Sequence, residues 1–190
     1  MFIIISGISS SGKNTVMNNL VKERENLKIL ERSSVTTREP RESDKSFNTY
    51  FYTSQEEFLQ MVDEGKFVEH EEVHGNYYGV LKKPLDRVVK DKEYDYIRDI
   101  DVKGNLSIRK YLKGKCRVLS IFLDAPDEVL IDRLRKRGDS EEQIKIRLSR
   151  KDFERAHKKY YDLVIENIDL KKTLKIINDY MDEIKEKDSN

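Results

Sequence analysis

The chain of 190 residues contains one cysteine, Cys116. No disulfide framework can therefore hold it together, and a reducing compartment is expected. Cys116 itself reads as a small buried apolar residue before an apolar run. Neither sign of charge is in excess: 37 Lys and Arg stand against 36 Asp and Glu, for a net charge of +1. That balance excludes an overall basic field for nucleic acid and an acidic tail, so any anion site must come from local clustering. No apolar run approaches membrane-spanning length. Phe2 to Ile5 is too short for a signal sequence and lacks a preceding basic residue. A soluble cytoplasmic protein without nucleic-acid or membrane partners is expected. Internal repeats and low-complexity linkers are absent, and the three histidines, His70, His74 and His157, lack metal-ligand spacing. The length suits one domain, or a core with insertions.

What is present concentrates at the start. Apolar Phe2 to Ile5 leads into Ser6-Gly7-Ile8-Ser9-Ser10-Ser11-Gly12-Lys13-Asn14-Thr15, and helical periodicity begins at Lys13. Strand, glycine-bounded loop and helix, with a lysine at the last junction, fit the phosphate-binding pattern G-x-x-x-x-G-K-[ST]. Gly7 and Gly12 let backbone N–H groups turn toward an anion, the helix N-terminus adds positive charge, and Lys13 can reach terminal phosphates. One position departs: Asn14 stands where the pattern has a hydroxyl residue, and Thr15 follows one place later.

Further on, helix and strand patterns alternate. A helix is expected from Lys13 to about Glu23, then a strand from Leu30 to Val35. Thr36 to Asp44 is polar and basic, and Pro40 excludes helix there. Tyr50 to Thr53 reads as a strand. Thr53-Ser-Gln-Glu reads as a capping box opening a helix with Phe58, Leu59 and Val62 on one side, ended by Gly65. Lys66–Val73 and Asn76–Val80 read as strands around His74-Gly75. A helix Lys83–Lys90, a strand Tyr94–Ile100, a helix Val102–Leu112 and a strand Arg117–Leu123 follow. Asp124-Ala-Pro then caps a helix that ends at Arg137-Gly138. Ser140-Glu-Glu-Gln143 is a second capping box, opening a helix to about Lys158. The strand Leu163–Glu166 and the amphipathic helix Leu170–Ile184 close the chain. Such alternation implies a parallel sheet covered on both faces, with ligands beyond the carboxyl ends of the strands. The fold expected is a three-layer α/β/α domain of the phosphate-loop type. Residues 1–33, 81–126 and 160–190 would form its core, 34–80 a β-rich insertion and 127–159 a helical lid.

Phosphoryl transfer needs positive charge around the moving phosphate, a metal, and exclusion of water. Asp99 ends an apolar strand, where a Walker B carboxylate orients Mg²⁺ or its water; Asp101 reads equally as a cap. Arg38 and Arg41 flank Pro40 with the spacing of bidentate phosphate capture, and Tyr50, Tyr77 and Tyr78 add neutral donors. Arg133, Arg135 and Arg137, then Arg147 and Arg150 beyond Gly138, suit a lid that brings charge and expels water. Arg133 and Arg137 share a face, whereas Arg135 reads as solvent-facing. Glu69 reads either as a surface strand residue or as an acceptor for the N–H groups of a purine edge.

These stretches together resemble the guanylate kinase family over nearly the whole chain. They are Ser6-Gly7…Gly12-Lys13, Ser34-Val-Thr-Thr-Arg38-Glu-Pro-Arg41, Gly75-Asn-Tyr-Tyr-Gly79, Asp99-Ile-Asp101-Val-Lys-Gly104, Arg133-Leu…Arg137-Gly138 and Tyr161-Asp-Leu-Val-Ile-Glu-Asn167. The resemblance implies phosphorylation of GMP or dGMP by ATP with Mg²⁺, on a monomer or homodimer. It places ATP on Gly7, Ser9, Ser10, Ser11, Gly12, Lys13, Asn14 and Thr15, with Asn167 near the adenine. It places the GMP phosphate on Arg38, Arg41, Tyr50 and Tyr78, and the guanine edge against Ser34, Glu69 and Asp101. Arg133, Arg137 and Arg147 would bridge the phosphates as catalytic groups with Lys13 and Arg38, and Asn14 and Asp99 would serve the metal. The chain departs from the family at Ser10 and Ser43, each in place of a glycine, and at Asn14. It departs again at Val80, in place of a hydroxyl residue that touches the base, and at Arg98, in place of an aliphatic residue. The lid, Gly138 to Gln143, is one residue short. Two other readings follow from these departures: a kinase of the same fold with another phosphate acceptor, or a non-catalytic protein-binding module. A chain that starts at the first strand and keeps Lys13 and the lid arginines speaks against the module.

Overall fold

The computed structural model describes residues 1–40, 50–73 and 75–189, so Arg41, Ser43 and His74 lie outside the described residues. In chain order the elements are β1 (Phe2–Gly7), α1 (Lys13–Glu23), β2 (Leu27–Ile29), β3 (Ser34–Thr36), β4 (Tyr50–Tyr52), α2 (Gln55–Asp63), β5 (Phe67–Val73), β6 (Asn76–Leu81), α3 (Lys82–Lys90), β7 (Asp95–Asp99), α4 (Val102–Leu112), β8 (Val118–Asp124), α5 (Asp127–Lys136), α6 (Glu141–Leu148), α7 (Lys151–Ala156), a 3-10 turn at Lys158–Tyr160, β9 (Leu163–Glu166) and α8 (Leu170–Ser189). Among the described residues the strands of the main sheet follow the order β2-β7-β1-β8-β9, and those of a smaller sheet the order β4-β3-β6-β5. The fold is mixed α/β with a parallel sheet. Among the described residues no helix is long and apolar enough to cross a membrane.

The chain divides into two compact units. One, here the loop unit, comprises Ile4–Glu25, Asp99–Val102 and Ser120–Asn190. In it β8 pairs parallel with β9 from Ile121↔Leu163 to Asp124↔Glu166. Both faces of β8 are buried, which is why Leu119 to Leu123 carries no outward polar alternation beyond Ser120. Ile8, Val102, Phe122, Leu130, Leu134 and Ile144 form one cluster. Ser120 holds its place because its hydroxyl and N–H both donate to Asp162, at 2.7 and 2.8 Å.

The other, here the sheet unit, comprises Met1–Ile3, Asn26–Arg98 and Lys103–Leu119. Its parallel pair β2–β7 runs from Leu27↔Asp95 to Ile29↔Ile97. The small sheet is covered on one face by α2, where Val35, Phe58 and Phe67 are buried with Tyr77, Met61 and Val62 against them. Phe58 stacks on Phe67 at 4.7 Å. Gly79 lies under that pair, and a Cβ there would fall 2.6 Å from the Phe67 ring, so the position admits only glycine without repacking.

Several local expectations give way to other physics. Leu30 to Val35 is not one strand: a turn at Glu31-Arg32, with Arg32 at φ 44°, separates β2 from β3. The first capping box sits one residue later than expected. Ser54 is the N-cap, its hydroxyl accepting from the Glu57 N–H at 3.1 Å, because Thr53 is drawn off to donate to the Glu57 carboxylate. Leu59 is 42% exposed, since only the Phe58 side of α2 meets the sheet. The capping box at Ser140 forms as expected, with Gln143. Its helix stops at Leu148, and Arg150, at φ −96° and ψ 0°, breaks the register before α7. Asp124 does not cap α5, whose N-cap is Pro126 with no side-chain bond. Its carboxylate instead receives Arg155 at 2.9 Å and Lys158 at 2.6 Å.

Candidate active site

In the loop unit the turn after β1 is shaped by backbone contacts. Ile8 N–H donates to the Leu123 carbonyl at 3.3 Å, and Ser11 N–H closes back on the Ile8 carbonyl at 3.0 Å. Gly7 has φ 147°, and a Cβ there would lie 2.0 Å from the Leu123 carbonyl oxygen; Gly12 has φ 93°, and its Cβ would meet the Asn167 amide at 2.5 Å. Neither site tolerates a side chain. Ser10 shares the left-handed region at φ 68° but carries its Cβ there, a strained state for a non-glycine residue. Gly12 is the N-cap of α1, and no acidic residue occupies the first turn. The helix dipole and the first N–H groups are therefore left for an external anion.

A cavity of about 530 Å³ opens over this turn. It is lined by Ser9, Ser10, Gly12, Lys13, Asn14 and Thr15 of the loop and by Arg133, Arg137 and Asn167. Ser11 is buried beneath it. Lys13 folds back on its own loop, donating to the carbonyls of Gly7 at 2.6 Å and Ile8 at 3.1 Å. Burial lowers its ammonium pKa, while the charges of Glu154 and Asp99 pull the other way. Burial raises the Glu154 carboxyl, against the opposing pull of Lys13 and Arg150. Asp99 closes β7, and the next residue donates its N–H to the Ile5 carbonyl at 3.1 Å, which sets that aspartate at the end of β1. Asp101, exposed, contributes to the field at Glu154.

Asn167 is a structural clasp. Its amide nitrogen donates to the Ser11 carbonyl at 2.7 Å, its amide oxygen accepts from the Thr173 hydroxyl at 2.8 Å, and its own carbonyl accepts Arg133 at 2.8 Å. Arg133 also reaches the Ser10 carbonyl, at 3.4 Å. Arg133 is thus wired to the loop. Arg137 and Arg147 are instead gathered on a single carboxylate, Asp139, at 2.6 and 2.7 Å. Sequence reading missed Asp139, although it follows Gly138 directly, and Glu154. The latter leaves no sequence signal, because its helical phase depends on the break at Arg150.

In the sheet unit, strand register brings the other candidates together. Ser34 lies opposite Tyr50 on β4 and Val80 on β6, and Val80 lies opposite Glu69 on β5. Directly paired residues share a face, so Tyr50, Ser34, Val80 and Glu69 form one row. Thr36, opposite Tyr52 and Tyr78, extends that face by a second row. This is the face away from α2. Arg38 projects over it, its guanidinium 5.0 Å from the Tyr50 ring and 5.8 Å from that of Tyr52. Tyr77, expected beside Tyr78, faces the other way, 5.4 Å from Phe58. Lys103 pairs with Glu71 at 2.9 Å. Arg98 is 2% exposed and donates to the Leu30 carbonyl and the Ser34 hydroxyl oxygen, both at 3.3 Å.

The guanylate kinase family model matches residues 1–184. A guanylate kinase of Porphyromonas gingivalis is 41% identical over 171 residues, covering 88% of this chain and 89% of that protein. One of Rickettsia prowazekii is 36% identical over 181 residues, covering 94% and 89%. Among solved structures, the crystal structure of guanylate kinase from Anaplasma phagocytophilum superposes with a TM-score of 0.68 at 31% identity, covering 96% of this chain and 85% of that one.

Proposed function

The chain belongs to the guanylate kinase family, and from that premise we infer that it transfers the terminal phosphoryl group of ATP to GMP, forming ADP and GDP. The observation that carries the acceptor is the in-register row Tyr50-Ser34-Val80-Glu69. A hydroxyl and a carboxylate on one row offer a donor and an acceptor. Guanine's edge presents the complement, an oxo group beside two N–H groups. Arg38, Arg41, Tyr50 and Tyr78 would take the monophosphate, the guanidiniums in bidentate fashion, and Asp101 would join the base contacts.

For the donor, Gly7 to Thr15 would cradle the ATP phosphates, with the N–H groups at the start of α1 facing their negative charge. Lys13 would release the Gly7 and Ile8 carbonyls for the terminal phosphates, which replace those bonds with stronger charge-assisted ones. Arg133, held against the loop, and Arg137 and Arg147, delivered by the lid, would stabilise the charge that spreads over the moving phosphoryl group. Asn14, exposed on the first turn of α1, and Asp99, at the end of β7, both offer oxygen donors that fit Mg²⁺. Among the described residues no three metal-binding side chains cluster, so the remaining ligands would be nucleotide and water oxygens. When bound, the ion supplies neutralisation of phosphate charge. Proximity and charge account for the reaction without a strong general base. The enzyme would act on free nucleotides in the cytoplasm as a monomer or homodimer.

The test is ADP release from ATP and Mg²⁺ against GMP, dGMP, IMP, AMP and a sugar phosphate. Turnover with GMP and dGMP above the rest is expected. A higher rate with a sugar phosphate, or no turnover with any acceptor, would overturn the reading.

A further inference from the structure

Among the described residues Arg98 is the largest side chain that is fully buried, on a strand otherwise made of Tyr96, Ile97 and polar ends. A buried guanidinium on such a strand is costly unless its donors are used. Two of them are used in a specific way. One bonds the Leu30 carbonyl, the last backbone acceptor before the turn that separates β2 from β3. The other bonds the hydroxyl oxygen of Ser34, the first residue of β3. Arginine has five donors and no acceptor, and it does not lose its proton in proteins. The direction of the second bond is therefore settled by chemistry: Ser34 accepts, and its own hydroxyl proton must point elsewhere.

Val80, the neighbour of Ser34 across the ladder, has no polar atom to take that proton, and Glu69 lies one strand further on. Directly beside Val80 the row therefore carries the Ser34 hydroxyl as a donor oriented by a fixed cation, with the Tyr50 phenol one strand further on. We propose that Arg98 is a positioning residue for acceptor recognition, holding Ser34 as a hydrogen-bond donor and thereby selecting a 6-oxopurine monophosphate over a 6-aminopurine. This rests on the reading of the row as the base site. A 6-amino group can use only the one Ser34 lone pair that Arg98 leaves, with its partial positive charge turned toward the guanidinium, and it leaves the hydroxyl proton without an acceptor. A 6-oxo group accepts that proton. The guanidinium polarises the Ser34 hydroxyl and strengthens the bond it donates.

The test measures GMP, IMP and AMP binding by calorimetry without ATP, and steady-state kinetics with it, for the wild type, Arg98→Leu, Ser34→Ala and the double variant. Arg98→Leu should weaken GMP and IMP in parallel by about tenfold and should not weaken AMP, which loses an unfavourable neighbour. KM should carry that loss, with kcat within about twofold, since Ser34 would meet the base and not the reacting phosphates. Ser34→Ala should cost as much, and the double variant no more than either single change, because one residue acts through the other. Arg98→Lys keeps the charge with fewer donors and should fall between wild type and Arg98→Leu, giving a reading even if the leucine variant does not fold. Adding Val80→Thr should restore part of the affinity.

Losses that multiply in the double variant, an equal loss for AMP, or unchanged GMP binding in both Arg98 variants would overturn the proposal. GMP binding without turnover in the wild type would instead sink the proposed function and leave the role of Arg98 to the binding data.

Discussion

The loop cavity and the face of the small sheet away from α2 are built from opposite materials. The cavity is made of backbone: Gly7, Ser10 and Gly12 at positive φ, carbonyls of Ser11 and Ser10 held by Asn167 and Arg133, and a helix N-terminus with no acid in its first turn. The sheet face is made of side chains whose meeting depends on register: Ser34, Tyr50, Val80 and Glu69 converge only because three ladders align them. A backbone-built site recognises what all its ligands share, a polyphosphate. A site built from side chains recognises what differs between ligands, the base. The first would depend on its dihedrals more than on its letters; in the second, each letter would bear on specificity.

The largest effect expected from pulling the two apart is at Lys13. Lys13→Ala should lower kcat by about two to four orders of magnitude, in the range of losing a preorganised charge at the transition state, while GMP binding measured without ATP stays at the wild-type value. A comparable loss of GMP affinity would break the separation of roles.

Asn167→Ala comes next. It leaves the Ser11 carbonyl and the Thr173 hydroxyl without their partner. Thermal unfolding should report a loss of about 2 kcal/mol, and KM for ATP should rise while KM for GMP does not.

The third is a pH effect confined to the loop unit. Burial pushes the Asp124 carboxyl up, but hydrogen bonds from Arg155, Lys158 and the Ala125 N–H outweigh it and hold the group below its usual 3.8. A depressed carboxyl gives stability that is present above its unfolded value and is lost as pH falls through the folded one. Wild-type stability should therefore drop on the acid side of pH 3.8. Asp124→Asn should be less stable near neutrality and should lose that acid limb, as read by denaturant melts across pH.

The smallest is Ser10→Gly. Relief of the strained φ 68° should stabilise the fold by up to about 1 kcal/mol, partly offset by the greater freedom of glycine when unfolded. A loss of stability would show that the serine side chain contributes more than its strain.

The same contrast governs what could be read in the letters. Glycines at forced dihedrals are local signals, so the loop from Gly7 to Lys13, α1 and the second capping box were legible directly. Apolar runs such as Leu119 to Leu123 announced their strands. Legibility failed where a distant partner decides. Thr53 lost the cap to Ser54 because Glu57 bonds both, and Asp124 was claimed by α7 rather than capping α5. Among site residues, the resemblance places Asn167 near the adenine, while its amide is engaged with the Ser11 carbonyl and the Thr173 hydroxyl. Arg98 stood out as a charge in an apolar strand, but its bond to Ser34 needed the fold.

The most direct measurement is phosphorus NMR of the protein with ATP, GMP and Mg²⁺. GDP and ADP should grow in equal amounts, with no orthophosphate. Orthophosphate and ADP without GDP, or an unchanged spectrum, would contradict it.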